Sequence, residues 1–184
     1  MQLIQVTLED VLSARERRAE KQRQILSKYP VPLISFMVNI PGAYKDTPLS
    51  RMVFEEGLAV ILKESSRKRL VPIYQEANYY FTGPEAYLAV DWGAIDLKRA
   101  TVAIEDFHPL GRLFDIDVIA GNQDVLSRVQ IGKTRRKCLI CNEDAAACGR
   151  SGRHSVEELL RKVRAIAEEY FQPSSQGNRF INLA

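Results

Sequence analysis

No apolar run in the sequence approaches the roughly 18–20 residues that cross a bilayer, and the first residues lack the basic, apolar, small-residue order of a signal peptide. Both absences argue against a membrane partner. Cysteine is scarce, with three residues grouped between Cys138 and Cys148. That is too few for a disulfide framework, so a reducing cytoplasm is the expected compartment. Internal repeats and low-complexity linkers are missing too, which speaks against a string of modules. What remains is 184 residues, 46% of them hydrophobic, enough for one domain with a real core. The expected domain is 1–172. Residues 173–184, opening on Pro173-Ser174-Ser175-Gln176-Gly177, read as a flexible tail.

The net charge of +3 is unevenly placed. From Arg128 to Arg164 there are ten Lys or Arg against four Asp or Glu. Such a stretch suits an anionic ligand or an acidic partner, and equally a solvated surface. By contrast, Arg15-Glu16-Arg17-Arg18-Ala19-Glu20-Lys21 mixes both signs. It reads as a solvated helix face, and no nucleic-acid partner is expected.

Thr7 and Asp10 form a capping-box signature for a first helix, which carries Leu8, Val11, Leu12, Ala19, Ile25 and Leu26 and ends at Tyr29-Pro30-Val31-Pro32. Leu33 to Ile40 reads as a buried strand. Thr47-Pro48 starts a second helix through about Lys63, after a loop holding Gly42 and Lys45. Strand, glycine loop and helix start make either a phosphate cradle with Lys45 as a point charge or an ordinary turn. Ser65 to Arg69 reads as a connector, and 70–76, 79–82 and 85–90 as short strands. A helix over 95–107 places Leu97, Ala100, Ile104 and Phe107 inward. Gly121-Asn122 offers a turn into a returning strand at 124–129. Ser155 with Glu158 caps a last helix. This order predicts an α+β domain with a mixed or antiparallel sheet flanked by helices.

Two stretches carry chemistry. In His108-Pro109-Leu110-Gly111-Arg112-Leu113-Phe114-Asp115-Ile116-Asp117-Val118 a turn feeds an alternating strand. Asp115 and Asp117 share one face with Cα atoms roughly 6.5–7 Å apart. Paired carboxylates at that spacing suit Mg²⁺, with Arg112 for a phosphate oxygen and Gly111 for close approach; a solvated edge strand is the plain alternative. The second stretch is Cys138-x-x-Cys141-x6-Cys148-x5-His154. It fits either one zinc in a closed Cys₃His site or packed free thiols.

Several stretches together resemble the apo-citrate lyase phosphoribosyl-dephospho-CoA transferase family. They are Pro30-Val31-Pro32-Leu33-Ile34-Ser35-Phe36, Pro41-Gly42 with Lys45-Asp46, Gly83-Pro84-Glu85, the His108 to Val118 string, and Arg135-Arg136-Lys137-Cys138-Leu139-Ile140-Cys141 with Ala145, Cys148 and His154. The resemblance implies a nucleotidyltransferase. It would move the 2′-(5″-phosphoribosyl)-3′-dephospho-CoA group from triphosphoribosyl-dephospho-CoA to a serine of the citrate lyase acyl carrier protein, releasing pyrophosphate. In that chemistry Asp115 and Asp117 would bind Mg²⁺ and Arg112 would steady the phosphates. Lys45, Arg135 and Arg136 would assist, and His108 would relay the serine proton or simply stack in its turn. Glu85, Glu105 and Asp124 are equal candidates for a third carboxylate. Two other readings stay open: a different metal-dependent nucleotidyltransferase, and a non-enzymatic zinc-stabilised module whose basic segment grips RNA or an acidic protein.

Overall fold

The computed structural model describes residues 3–121 and 123–172; the tail expected at 173–184 and Asn122 of the expected turn lie outside them. Helix α1 spans Leu8–Lys28. It opens on a full capping box, in which the Thr7 hydroxyl accepts from Asp10 N–H and the Asp10 carboxylate accepts from Thr7 N–H. Strand β1 (Leu33–Val38) and helix α2 (Pro48–Arg67) follow, the latter boxed by Thr47 and Ser50. The expected connector at Ser65 is the last turn of α2, which runs on to Arg67, and there the Ser65 hydroxyl donates back to the Ile61 carbonyl one turn earlier.

The three short strands expected between 70 and 90 are two. Strands β2 (Tyr74–Tyr80) and β3 (Gly83–Ala89) form one hairpin, and Gly83-Pro84 opens β3 instead of separating strands. Helix α3 (Ala94–Phe107) leads through a short 3-10 turn at Gly111–Leu113 into β4 (Phe114–Ile119). The strand expected at 124–129 is reduced to one bridge, Ile119 to Val125. Helices α4 (Ala145–Ser151) and α5 (Val156–Phe171) complete the described chain, with Ser155 and Glu158 boxing α5 as expected. Among the described residues no helix is long and apolar enough to cross a membrane.

The sheet runs β2-β3-β1-β4, and every pairing is antiparallel. Alternation gives it two unlike faces. One carries Ile34, Phe36, Val38, Ala86, Leu88, Phe114, Ile116 and Val118, and packs with Val53, Phe54 and Ile61 of α2, Leu97 of α3, and Val163 and Ala167 of α5. Phe36 stacks on Phe54 at 5.2 Å and meets the edge of Phe114 at 5.6 Å. A Cβ on Gly57 would stand 2.4 Å from the Phe36 ring, which explains a glycine in mid-helix despite its entropic cost. The other face carries Ser35, Met37, Glu85, Tyr87, Asp115 and Asp117, and α1 lies across it. There Ile25 and Leu26 seal one end against Leu33, Tyr87, Ala89 and Ile119. Further along, Gln22 donates to Ser35 (3.0 Å) and Lys21 pairs with Glu76 (2.6 Å). Against the desolvation that would raise it, hydrogen bonds from Lys21, Tyr74 and Asn78 hold the Glu76 carboxyl at about 2.

The outer edge of β4 is closed by side chains. Glu105 accepts from Ile116 N–H (3.1 Å), Lys98 donates to the Ile116 carbonyl (3.2 Å), and Arg136 donates to the Phe114 carbonyl. These contacts blunt an exposed edge and fix the backbone that carries both aspartates. They also explain why α3 buries Lys98 and Glu105 while the expected inward residue Phe107 is 82% exposed.

Gly111 is fixed by this same packing. A Cβ there would lie 2.4 Å from the Glu105 carbonyl and 2.6 Å from that of Ile104. Gly111→Ala is therefore expected to cost about 3 kcal/mol through overpacking, checked by denaturant unfolding; a change within about 0.5 kcal/mol would show that α3 yields here.

Candidate active site

Asp115 and Asp117 project from β4 on the α1 side, both solvent-reachable, while Phe114, Ile116 and Val118 between and beside them are buried. The β-register sets their neighbours. Asp115 and Glu85 flank Met37 from opposite sides, and Asp117 and Tyr87 flank Ser35. Of the three candidate third carboxylates, Glu85 alone shares the face. Glu105 is committed to the outer edge of β4, and Asp124 sits at the exposed turn beyond it. The Arg136 guanidinium lies 3.6 Å from Asp115. Crowding by surrounding protein, then the negative charge of Asp115, pushes the Asp117 carboxyl above the usual carboxylate range. Two like charges left in mutual repulsion are the arrangement that a cation relieves.

Beside Asp115 a cleft of about 220 Å³ opens between the N-terminal half of α1 and the sheet. Arg15 and Arg18 project from α1, Lys45 from the loop after β1, and Thr82 with the start of β3 at Gly83-Pro84 closes the far side. Arg18 is anchored on Glu85 at 3.0 Å, with its Nε–H buried and without an acceptor among the described residues. Arg17 reaches the same carboxylate at 3.4 Å and lies over the Tyr80 ring at 4.0 Å. Burial lowers the Lys45 pKa, while its ammonium donates to the Ile40 carbonyl. Arg15, Arg18 and Lys45 give the cleft three cations that suit an anion, and Asp115 at the rim suits the metal that usually accompanies polyphosphate.

The other expected site residues go elsewhere. His108 is on the opposite face, against Phe114 (5.3 Å between rings) and Tyr170 (5.2 Å). Its Nδ1 accepts from Leu110 N–H (3.1 Å), and Nε2 is 3.7 Å from Glu56. Burial lowers its pKa more than Glu56 raises it. The sheet itself separates His108 from the aspartates, because the 3-10 turn rotates the chain before β4 begins. Gly111 is packed against the α3 backbone, as described above, and is not among the residues that line the cleft. Arg112 spends its guanidinium on the carbonyls of Lys137 (2.6 Å) and Cys138 (3.0 Å). Arg135 is exposed, and Arg136 alone of that run reaches the acid pair. The α2 N-terminus is filled by its own Thr47–Ser50 box and an Asp46–Arg51 pair at 2.6 Å, so Lys45 serves the α1 cleft and not a helix-end cradle. Cys138, Cys141, Cys148 and His154 do converge, and none of the four lines the cleft.

Arg15 and Arg18 are absent from the sequence-based site. Their run looks solvated because charges of both signs alternate in it. The available signal is periodicity: Val11, Ala14, Arg18, Gln22 and Ile25 fall on one helical stripe, and a polar segment inside an inward stripe marks a polar site beneath it. Leu8 and Leu12, counted as inward from spacing, are 75% and 48% exposed for the same reason.

The family model described as apo-citrate lyase phosphoribosyl-dephospho-CoA transferase matches residues 6–170. Proteins of that name are similar over nearly their full length. One from Citrobacter koseri is 37% identical over 164 residues, covering 89% of this chain and 90% of the relative. One from Escherichia coli O1:K1 is 36% identical with the same coverage. A match of this extent, spanning β1, the α1 cleft and the β4 aspartates alike, leads to one assignment: the chain belongs to the apo-citrate lyase phosphoribosyl-dephospho-CoA transferase family.

Proposed function

We propose that the chain transfers the 2′-(5″-phosphoribosyl)-3′-dephospho-CoA group from its triphosphoribosyl donor to a serine of the citrate lyase acyl carrier protein, releasing pyrophosphate. The family match across residues 6–170 carries this reading. The acid pair beside a cationic cleft supplies a place for it, and an antiparallel sheet presenting two acids from an edge strand is nucleotidyltransferase-like in layout. The cleft is smaller than the roughly 300–1,000 Å³ of a whole-ligand pocket. It suits the phosphate chain of the donor, with the rest of the molecule lying along the open side.

In the reaction the serine oxygen forms a bond to the α-phosphorus. The bond to the bridging oxygen breaks, its electrons leave on pyrophosphate, and the serine proton passes to solvent water at the open side of the cleft. The protein's task is positioning and charge neutralisation. Arg15, Arg18 and Lys45 hold the β- and γ-phosphates and take up the charge that grows on the leaving group. Asp115 and Asp117 are the residues that would hold Mg²⁺, which when bound would supply positive charge to offset that of the phosphates. Arg136 braces Asp115 through its ion pair. The exposed Lys133, Arg135 and Lys137 offer cations to an acidic carrier surface.

Incubating the apo carrier protein with enzyme, Mg²⁺ and donor is expected to raise the carrier's intact mass by that of the donor less pyrophosphate. An unchanged carrier mass with active donor present would overturn the assignment.

A further inference from the structure

We propose that Cys138, Cys141, Cys148 and His154 bind one zinc ion, which closes the segment 138–154 on itself next to Arg136, the ion-pair partner of Asp115. One ligand atom from each residue lies within 4.8 Å of the other three. Cys141 Sγ is 4.0 Å from Cys148 Sγ and 3.3 Å from His154 Nε2. Zinc about 2.3 Å from sulfur and about 2.0–2.1 Å from nitrogen requires ligand-to-ligand edges of roughly 3.5–3.8 Å. Those two edges are already close to that range, and no other pair of the four atoms is more than 4.8 Å apart.

Three separate pieces of chain bring them there. Cys138 and Cys141 occupy a tight loop closed by the Lys137–Asp144 bridge, with Cys138 N–H donating to the Glu143 carbonyl (2.7 Å). In that loop Ile140 N–H points at Cys138 Sγ (3.5 Å). Cys148 is the one buried residue of α4. His154 follows the left-handed Gly152 that ends α4. A seven-residue helix burying a single side chain is far below the length that is stable in water, and this segment supplies little apolar surface to hold it. A metal bond set supplies what the missing core does not.

The donor set selects the ion. Three thiolates and an imidazole are too soft for Mg²⁺ or Ca²⁺, and four-coordinate S₃N is a zinc geometry. Packed free thiols would be sealed from water, whereas Cys141 and His154 are only half-buried and face each other. Three thiolates around Zn²⁺ leave one net negative charge. Arg112 lies against it through the Lys137 and Cys138 carbonyls, and Arg135 and Lys137 flank it in sequence. Arg136, two residues before Cys138, donates to the Gly111 and Arg112 carbonyls (3.2 and 2.9 Å) and stands 3.6 Å from Asp115. The metal thus fixes the segment next to Arg136, which braces one member of the acid pair.

Elemental analysis of the full chain, purified under reducing conditions, is expected to find one zinc per chain. Exchange for Co²⁺ should produce thiolate-to-cobalt charge-transfer absorption and intense tetrahedral d–d bands. Cys141→Ser should lose the zinc or alter the cobalt spectrum. Chelation should open residues 138–154 to limited proteolysis before the sheet is cut. A folded, reduced chain that takes up neither zinc nor cobalt would overturn the proposal, as would a Cys141–Cys148 disulfide in freshly purified protein. If the variant does not fold, the wild-type cobalt spectrum decides alone. These readouts require neither donor nor carrier, so they stand or fall apart from the transfer reaction.

Discussion

Asp117→Asn is expected to lower the rate of prosthetic-group transfer by at least about 10²-fold, the scale of removing one electrostatic element from a preorganised site, and Asp115→Asn likewise. The fold should survive both. The β4 ladder is made by backbone groups, and Asn keeps the shape of Asp. For Asp117 the sign of the stability change is also set. Below the ordinary carboxylate pKa the group is protonated in folded and unfolded chains alike. As pH rises through its raised folded value, the folded protein must ionise a carboxyl disfavoured by crowding and by Asp115. At neutral pH the charge therefore opposes folding, and Asp117→Asn should melt no lower than wild type while transfer collapses. Thermal melts beside intact-mass kinetics test both halves. Near-wild-type transfer by either folded variant would remove the acid pair from the mechanism.

What could be read from the sequence was local. The alternation in β4 put Asp115 and Asp117 on one face because a strand's period of two involves no other element. Caps at Thr7, Thr47 and Ser155 follow from hydrogen bonds within four residues. The pairing of strands, by contrast, joins Met37 to both Glu85 and Asp115 across 48 and 78 positions, and no short-range pattern encodes that. The breaks misled for related reasons. Gly83-Pro84 carries turn chemistry, yet Pro84 fits a strand where its missing N–H is not needed, and the turn falls at Phe81-Thr82. Residues 124–129 look strand-like, but Glu105, Lys98 and Arg136 already occupy the edge they would pair with. The family string from His108 to Val118 is contiguous in sequence and divided in space. Its acids face α1, its histidine faces α5, and its arginine holds the cysteine loop.

The partner that α1's basic run lacks in sequence is Glu85, 67 positions from Arg18, and its removal is the second large effect. Glu85 is 2% exposed; one oxygen accepts from Arg18 and Arg17, the other from the Tyr87 hydroxyl at 2.7 Å. Burial first, and then the Glu85 charge, push the Tyr87 phenol far up, so Tyr87 remains a donor at any working pH. Glu85→Ala strands that buried hydroxyl and unties Arg18, at a cost of about 2–3 kcal/mol, or roughly 5–10 °C in Tm for a chain of this size. Glu85→Gln keeps an acceptor for Arg18, and its amide can take the Tyr87 oxygen as acceptor, so most of that loss should be recovered. Function separates the two contributions. If Arg18 grips donor phosphates, Arg18→Ala should raise the donor KM about tenfold, near 1.4 kcal/mol, and Glu85→Ala should raise it as well, whereas Glu85→Gln should leave it nearly unchanged. A donor KM that is the same in all three would confine the Arg18–Glu85 pair to docking α1 on the sheet and leave phosphate binding to Arg15 and Lys45.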